Sequence, residues 1–353
     1  MKRSFYIDLA RSGARFPIGA HLVLCEKSHH DSIMLNGKAL GEVVAETADR
    51  FHTPLALALM DLMIEKAELL SLLGVPTTGA DTYHFETCPP PDIIDQLRSS
   101  LGAPAGARMR ANCDAIRHIA TTRPDLIPAG MIIGPFSLMT KLLGDPITPV
   151  FLAGSGITGD EDPEVRTVEI CLELAVMTIQ RSIRMQAAAG AKALCVCEPA
   201  ANKVYLSPKQ IESGSGIFER LVMANLRKIK EALDETGMDL IFHDCGELVD
   251  SMVLDFASLD PAILSLGSSR RLWEDARHVG QNTVLYGNLP TKNFYSDAHV
   301  PADKVEELAR DLIGRMRHVG HPFILGSECD VLSVPGSEAT ISAKIHRMMT
   351  CEA

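Results

Sequence analysis

Met238-Asp-Leu-Ile-Phe-His-Asp-Cys-Gly-Glu247 joins an apolar run to a polar end. The apolar run predicts a buried strand of a parallel sheet, and Gly246 marks the turn that follows it. In extended backbone, residues two apart point to the same side, so His243 and Cys245 should face one point. The stretch therefore predicts a strand that carries an imidazole and a thiol to its carboxyl end.

Similar apolar runs recur along the chain, each followed by Gly, Pro, Asn or Asp and then by a segment with helical spacing. This alternation is typical of βα units, and eight parallel strands close a barrel. An open doubly wound sheet is the alternative, but no Gly-x-Gly-x-x-Gly turn follows an early strand. The predicted strands are Phe16–Cys25, Asp81–Phe85, Leu126–Ile133, Lys192–Cys197, Asp239–His243, Ala262–Leu266, Asn282–Tyr286 and Pro322–Leu325.

The segments between these runs predict helices, and three glycines, Gly74, Gly237 and Gly320, fall where helices should stop. Residues 1–353 are therefore expected to form a single domain of the α/β class. Its predicted architecture is a (β/α)8 TIM barrel with an N-terminal helical extension. The predicted helices are Lys38–Leu73, interrupted at Pro54, and Val165–Ala189, Pro208–Gly237 and Ala302–Val319.

Composition limits the classes of partner. The 353 residues carry 34 basic and 45 acidic side chains, a net charge of −11 without any Lys/Arg-rich run, so nucleic acid and anionic membrane are not expected partners. No apolar stretch approaches the roughly 18 residues that span a bilayer, and the N-terminus lacks a signal-type apolar core. We expect a cytoplasmic protein in which the nine cysteines are buried hydrophobes or metal ligands rather than a disulfide framework.

A second stretch, Pro322-Phe-Ile-Leu-Gly-Ser-Glu-Cys-Asp330, repeats the pattern of an apolar strand followed by polar residues and places Cys329 at its end. In a barrel the carboxyl ends of different strands surround one site, so Cys329 can meet His243 and Cys245. Two thiolates and one imidazole suit zinc, and three protein ligands leave a position open, as in catalytic sites. A His-x-Cys pair also occurs in ordinary core packing, so spacing alone leaves both interpretations open.

The segment His243-Asp-Cys-Gly246 followed by a distant Cys329 resembles the uroporphyrinogen decarboxylase superfamily, within it the cobalamin-dependent branch typified by methylcobamide:coenzyme M methyltransferase. Further similarity runs in order along the chain from about residue 55. It is carried by Gly130-Met-Ile-Ile-Gly-Pro-Phe-Ser-Leu138, Glu198-Pro-Ala-Ala201 with Leu206-Ser-Pro208, and Tyr286-Gly-Asn288. The resemblance implies a (β/α)8 barrel whose zinc ligands are His243, Cys245 and Cys329.

The resemblance further implies a zinc-dependent methyltransferase that works with a corrinoid (cobalamin). No Asp-x-His-x-x-Gly corrinoid motif occurs in this chain, so the corrinoid should arrive on a separate carrier protein. Relatives either move a methyl group from the corrinoid to a thiol or other small acceptor, or demethylate a small methoxylated or methylated compound and load the corrinoid. The direction of transfer, the donor and the acceptor remain open, and a homodimer is an assembly that the sequence leaves open.

Two alternatives remain: a non-catalytic protein that delivers or stores a corrinoid, which the missing corrinoid motif disfavours, and a tetrapyrrole decarboxylase. Relatives with that activity grip substrate carboxylates with an Arg-Gln-Ala-Gly-Arg stretch, whereas residues 15–25 here contain no such Arg pair.

Further polar residues lie at strand ends, where they can reach the site. We predict catalytic roles for Glu198 and Asn288, each with a capping or turn role as the alternative. Asp244, Glu328 and Asp330 flank the predicted ligands and are candidate hydrogen-bond partners for the site, or solvated carboxylates.

Overall fold

Seven parallel strands form one sheet in the computed structural model, which describes residues 2–76 and 79–352. Strands that follow one another in the chain are also neighbours in the sheet, and every pair is parallel. A parallel pair needs a long crossover connection, and helices occupy these connections. The strands are β1 (Leu55–Leu57), β2 (Ile127–Ile133), β3 (Ala193–Cys197), β4 (Asp239–Asp244), β5 (Ile263–Leu266), β6 (Val284–Leu289) and β7 (Phe323–Ser327).

Four helices precede β1 and correspond to the expected N-terminal extension: α1 (Arg3–Arg11), α2 (Ala20–Cys25), α3 (His30–Ile33) and α4 (Gly37–Arg50). The others lie between or after the strands. They are α5 (Ile64–Leu72), α6 (Ile93–Ser100), α7 (Ala107–Thr122), α8 (Pro135–Thr140), α9 (Ile147–Gly154), α10 (Pro163–Ala189), α11 (Pro208–Glu212), α12 (Ala224–Thr236), α13 (Asp250–Ala257), α14 (Leu272–Asp275), α15 (Ala302–Val319) and α16 (Glu338–Thr350).

The sheet is buried on both faces. Every residue of β3 and β5 is buried, as expected for parallel strands covered by helices on one side and by side chains on the other. The inner space is lined by side chains from neighbouring strands, among them Met131, Cys195, Ile241, Ile263 and Tyr286. This curved, filled sheet is TIM-barrel-like and belongs to the α/β class.

The predicted closed barrel of eight strands is wrong, because Phe16–Cys25 is not a strand. Arg15 and Ile18 make isolated parallel bridges to Leu325 and Asp330, and the chain then turns into α2. Residues 15–18 thus run beside β7, where an eighth strand would lie. Pro17 lacks an N–H group and cannot donate to a ladder, so the pairing does not extend.

The predicted strand Asp81–Phe85 is also wrong, and a strand was missed at β1. Residues 81–85 form a loop with one bridge, between Phe85 and Leu143. The missed strand lies inside the predicted helix Lys38–Leu73, where the Leu- and Ala-rich composition favours a helix. Pro54 decides otherwise, because the first part of that helix ends at Arg50 and the chain re-enters as a strand paired with β2.

The other six predicted strands are confirmed as β2 to β7, with shifted ends. The helix at Ala302–Val319 has the predicted bounds, and its Glu306–Arg310 ion pair joins the side chains at 3.0 Å. The predicted helix Pro208–Gly237 is interrupted, because Gly214 and Gly216 take positive φ angles that end α11.

Because all seven strands are parallel, their carboxyl ends meet at one edge of the sheet, here called the carboxyl edge, and their starts form the amino edge. The last residues of the strands and the loops that follow them at the carboxyl edge carry His243, Cys245 and Cys329 and the other candidate residues. Among the described residues, no helix combines the length and apolar character needed to cross a bilayer.

Candidate metal centre

His243 and Cys245 lie at the carboxyl end of β4. The backbone there is held on both sides, since Glu198 donates its N–H to the His243 carbonyl at 2.9 Å and Gly267 donates to the Asp244 carbonyl at 3.1 Å. A Cβ atom on Gly267 would lie 2.7 Å from the carbonyl oxygen of Cys245, so only glycine allows this approach. Strand pairing and close packing together fix the direction of the imidazole and the thiol.

Cys329 follows the end of β7 by two residues. Its neighbours are anchored, because Glu328 donates its N–H to the Leu289 carbonyl at 2.9 Å and Val331 donates to the Ile18 carbonyl at 2.8 Å. The segment around Ile18 is not a strand, but its backbone hydrogen bond still anchors the loop that carries Cys329. The irregular N-terminal segment contributes to the site through its backbone.

The structure brings the three predicted side chains together. One imidazole nitrogen of His243 and the sulfur atoms of Cys245 and Cys329 all lie within 4.8 Å of one another. His243 is buried and both cysteines are half-buried, so the cluster is covered at the imidazole and accessible on one side, at the thiols. Two thiol sulfurs with one imidazole form the donor set that zinc prefers.

The His243 ring has one engaged and one free nitrogen. Nδ1 lies 2.8 Å from the hydroxyl oxygen of Ser265 on β5, directly opposite His243 in the strand register. Nε2 is buried and has no hydrogen-bond partner among the described residues. Buried polar atoms nearly always have a partner, so a free nitrogen beside two thiols fits a ligand atom for a metal ion.

The two thiols strongly perturb each other. A hydrogen bond from Cys329, followed by the influence of His243, lowers the pKa of Cys245 to about 3 despite burial. The same contact with Cys245, followed by burial, raises the pKa of Cys329 far above its usual value. Two thiols coupled in this way release a proton when a divalent cation binds between them.

Lys292 is a positively charged neighbour that the sequence analysis missed. Burial opposes its charge, but Cys245, Cys329 and Glu328 together raise the pKa of the Lys292 amine. Its backbone N–H donates to Glu328 Oε1 at 3.2 Å, in the turn after β6. The position after a strand end, Leu289-Pro-Thr-Lys292, was the available signal, because residues of such turns reach the carboxyl edge.

The flanking carboxyl groups do not bond to the imidazole. Glu328 accepts hydrogen bonds from the Ser268 hydroxyl at 2.6 Å and from backbone N–H groups. Asp244 Oδ2 and Asp330 Oδ1 are buried and without a partner among the described residues. Burial raises the pKa of Asp330 to about 7 and that of Asp244 well above its ordinary value. Ser265 takes the role considered for these carboxylates, and its signal was a lone hydroxyl residue within an apolar strand.

Glu198 is fully buried behind the site. Its Oε1 accepts the Ser137 N–H at 2.6 Å and its Oε2 accepts the Phe136 N–H at 3.1 Å, both in the first turn of α8. These N–H groups have no partner within the helix, so Glu198 caps α8 from a neighbouring strand end. Burial raises the pKa of Glu198 to about 7 in spite of the two bonds. Its predicted catalytic role stays a prediction.

Asn288 lies at the end of β6 and fastens the loop after β5. Its side-chain amide donates to the carbonyl groups of Gly267 and Arg270 at 2.8 and 2.9 Å. Gly267 is the residue packed against Cys245, so Asn288 supports the cluster indirectly. A direct catalytic role for Asn288 also stays a prediction.

Comparison with known proteins identifies related sequences and folds. The family model named uroporphyrinogen decarboxylase (URO-D) matches residues 26–338. A methyltransferase from Methanosarcina mazei has a similar structure, with a TM-score of 0.67 at 15% identity over 99% of this chain and 98% of that chain. The apo crystal structure of 3-keto-D-glucoside 4-epimerase, YcjR, from E. coli gives a TM-score of 0.38 at 12% identity over 76% of this chain and 98% of that chain. No curated protein matches the chain.

Proposed function

Because the chain belongs to the uroporphyrinogen decarboxylase (URO-D) family, and because one imidazole and two thiols converge at its carboxyl edge, we propose that it is a zinc-dependent methyltransferase. In this proposal it moves a methyl group between a corrinoid on a separate carrier protein and a thiol or another small acceptor. The observation that carries the proposal is the convergence of His243, Cys245 and Cys329 within 4.8 Å.

The residues fit a zinc ion in three respects. The donor set is soft, the buried Nε2 of His243 lacks another partner among the described residues, and one side of the cluster is accessible. Bound there, zinc would supply Lewis acidity, which lowers the pKa of a coordinated thiol and makes it nucleophilic at neutral pH. The three protein ligands leave a coordination position for a small acceptor.

The chain's own groups prepare this position. Ser265 holds the imidazole through Nδ1, so the ring cannot turn its free nitrogen away from the thiols. Lys292 adds a positive charge beside the cluster, which favours the deprotonated form of an approaching thiol. In a transfer to a thiol, the acceptor sulfur would lose its proton to solvent and form a bond to the methyl carbon, and the electron pair of the broken carbon–cobalt bond would stay on the cobalt of the carrier's corrinoid.

The position of Arg15 argues against a tetrapyrrole decarboxylase. Relatives with that activity need arginines for substrate carboxylates, and Arg15 is the basic residue of the corresponding segment here. Its guanidinium lies at the amino edge, away from the metal cluster, and donates to the Cys351 carbonyl. It is therefore not placed to hold a substrate beside His243.

Exposed apolar side chains support a protein partner at the carboxyl edge. Phe151, Val204 and Leu332 are each more than half exposed and follow β2, β3 and β7. Large apolar side chains exposed on segments that connect strand ends to the next element favour coverage by another molecule. A carrier protein that presents its corrinoid to the cluster would cover them.

Zinc analysis and a methyl-transfer assay test the proposal together. Protein purified without chelators should contain about one zinc per chain, and the variant Cys245→Ala should lose it. Cys113→Ala removes a buried thiol on α7, away from the cluster, and should keep the metal. The absorbance change of methylcobalamin with a panel of thiols, folates and methoxylated compounds reports transfer and its direction. A wild-type protein without bound metal, or equal zinc in both variants, would overturn the proposal.

A further inference from the structure

A second cavity lies at the amino edge, at the opposite end of the sheet from the metal cluster. It has a volume of about 340 Å³, opens to solvent, and is bordered by the C-terminal ends of α1 and α15 and by the start of β7. Leu325 is the wall residue nearest to Cys329 in the chain and lies four positions before it, which corresponds to about 13 Å of extended backbone. The cavity is therefore distinct from the metal cluster.

The lining of this cavity is basic. Arg11, Arg15 and Arg317 line it together with His321, and no Asp or Glu among the described residues does so. The chain as a whole carries a net charge of −11, whereas the ionisable groups that line this cavity are all basic. A small anion would find complementary charge here.

The arginines are only partly engaged by the protein. Arg317 forms no ion pair among the described residues, and Arg11 lies 3.7 Å from Asp8 in an exposed contact of little strength. Arg15 uses Nη1 to donate to the Cys351 carbonyl, which leaves other guanidinium donors free. Guanidinium groups bind carboxylates and phosphates in a fork geometry, so they match both kinds of anion.

His321 determines which hydrogen-bonding group a ligand of this cavity must offer. The residue is 5% exposed, and its Nε2 donates to the Thr283 carbonyl at 3.0 Å. A carbonyl only accepts, so Nε2 carries the hydrogen and Nδ1 is left as an acceptor. Nδ1 is buried and has no partner among the described residues. Because Nδ1 is covered in this structure, a ligand reaches it only when the ring or a neighbouring side chain shifts, and such a ligand must offer a hydroxyl or another hydrogen-bond donor.

We propose that this basic cavity is a second binding site, which takes a small carboxylate or phosphate anion that also carries a hydroxyl group. The arginines hold the anionic group, and His321 Nδ1 accepts the hydroxyl hydrogen. Because the ligand would contact α1, α15 and the start of β7 at once, its binding stabilises the folded chain.

Calorimetric titration of the full, zinc-loaded chain tests this site with three probes. Malate and succinate differ by one hydroxyl group, so their comparison isolates the contact with His321, and inorganic phosphate tests the other class of anion. We expect saturable binding of malate or phosphate, tighter binding of malate than of succinate, and a higher melting temperature with the bound anion. No saturable binding of any probe would overturn the proposal.

Matched variants locate the binding. The double variant Arg11→Gln/Arg317→Gln should weaken binding by about tenfold or more, whereas Arg110→Gln, an exposed arginine on α7, should bind like the wild type. His321→Gln keeps an amide nitrogen that can donate to Thr283 but removes the Nδ1 acceptor, so the preference for malate should vanish. Unchanged affinity in the double variant, or a preference that survives in His321→Gln, would contradict the assignment.

Discussion

Two buried histidines at opposite ends of the sheet each have one ring nitrogen in a hydrogen bond and one without a partner among the described residues. In His243 one nitrogen meets the Ser265 hydroxyl, in His321 one nitrogen meets the Thr283 carbonyl, and the second nitrogen of each has no partner among the described residues. Their neighbours differ, since two thiols surround the first and three arginines line the cavity of the second. A free buried nitrogen thus indicates that a ligand fits, and its surroundings indicate which kind.

The matched variants His243→Gln and His321→Gln give the largest expected contrast. Loss of a ligand should lower zinc affinity by more than about 100-fold, because even an outer hydrogen-bond partner contributes 10- to 100-fold. His321→Gln leaves the cluster intact and should retain wild-type zinc affinity. Competition with a chelating dye measures both constants. Equal zinc affinities in the two variants would remove the distinction between the two histidines.

Ser265→Ala sharpens the comparison within the metal cluster. The variant keeps all three ligand atoms but removes the partner of His243 Nδ1, so the ring can rotate. We expect zinc affinity to fall by about 10- to 100-fold, with the fold retained. The control Ser268→Ala removes a hydroxyl that bonds to Glu328 instead. If Ser265→Ala bound zinc like the wild type, packing rather than the serine would orient the ring.

Glu198 shows the opposite case, a buried polar group whose acceptors are both filled. Glu198→Gln places an amide N–H group against a backbone N–H group of α8, so we expect the free energy of unfolding to fall by about 2 kcal/mol. Zinc content should not change, because both oxygens of Glu198 accept hydrogen bonds from backbone N–H groups of α8 and neither bonds to a thiol. Denaturant unfolding and elemental analysis check the two parts. Lost methyl transfer in a stable, zinc-loaded variant would favour the predicted catalytic role.

The two ends of the sheet also differ in how far the sequence predicts them. At the carboxyl edge, His243, Cys245 and Cys329 follow apolar runs, and parallel strands necessarily bring such ends together. Ser265 is the direct register partner of His243, but register requires knowing which strands pair. Lys292 and the backbone contact of Ile18 depend on loop paths, which local sequence does not encode.

The amino edge could not be predicted, because it is built from segments with no shared pattern. Arg11 and Arg317 close separate helices, Arg15 follows a turn, and His321 precedes a strand, so their meeting depends on tertiary packing alone. The errors in the fold have a related origin. Pro17 and Pro54 each decide a local conformation against the preference of the apolar residues around them.

The pH dependence of stability gives the smallest and most specific contrast. Burial lowers the pKa of His321 below its ordinary value of 6.5. In the unfolded chain this ring takes up a proton more readily than in the folded protein, so its contribution to stability is present above pH 6.5 and is lost as pH falls through the folded pKa. His321→Gln has no such proton, so its melting temperature should fall less than that of the wild type on acidification. Melting temperature is measured against pH for both zinc-loaded proteins, and the difference between the two curves cancels the titrations that they share. Parallel curves would show that the His321 ring stays solvated.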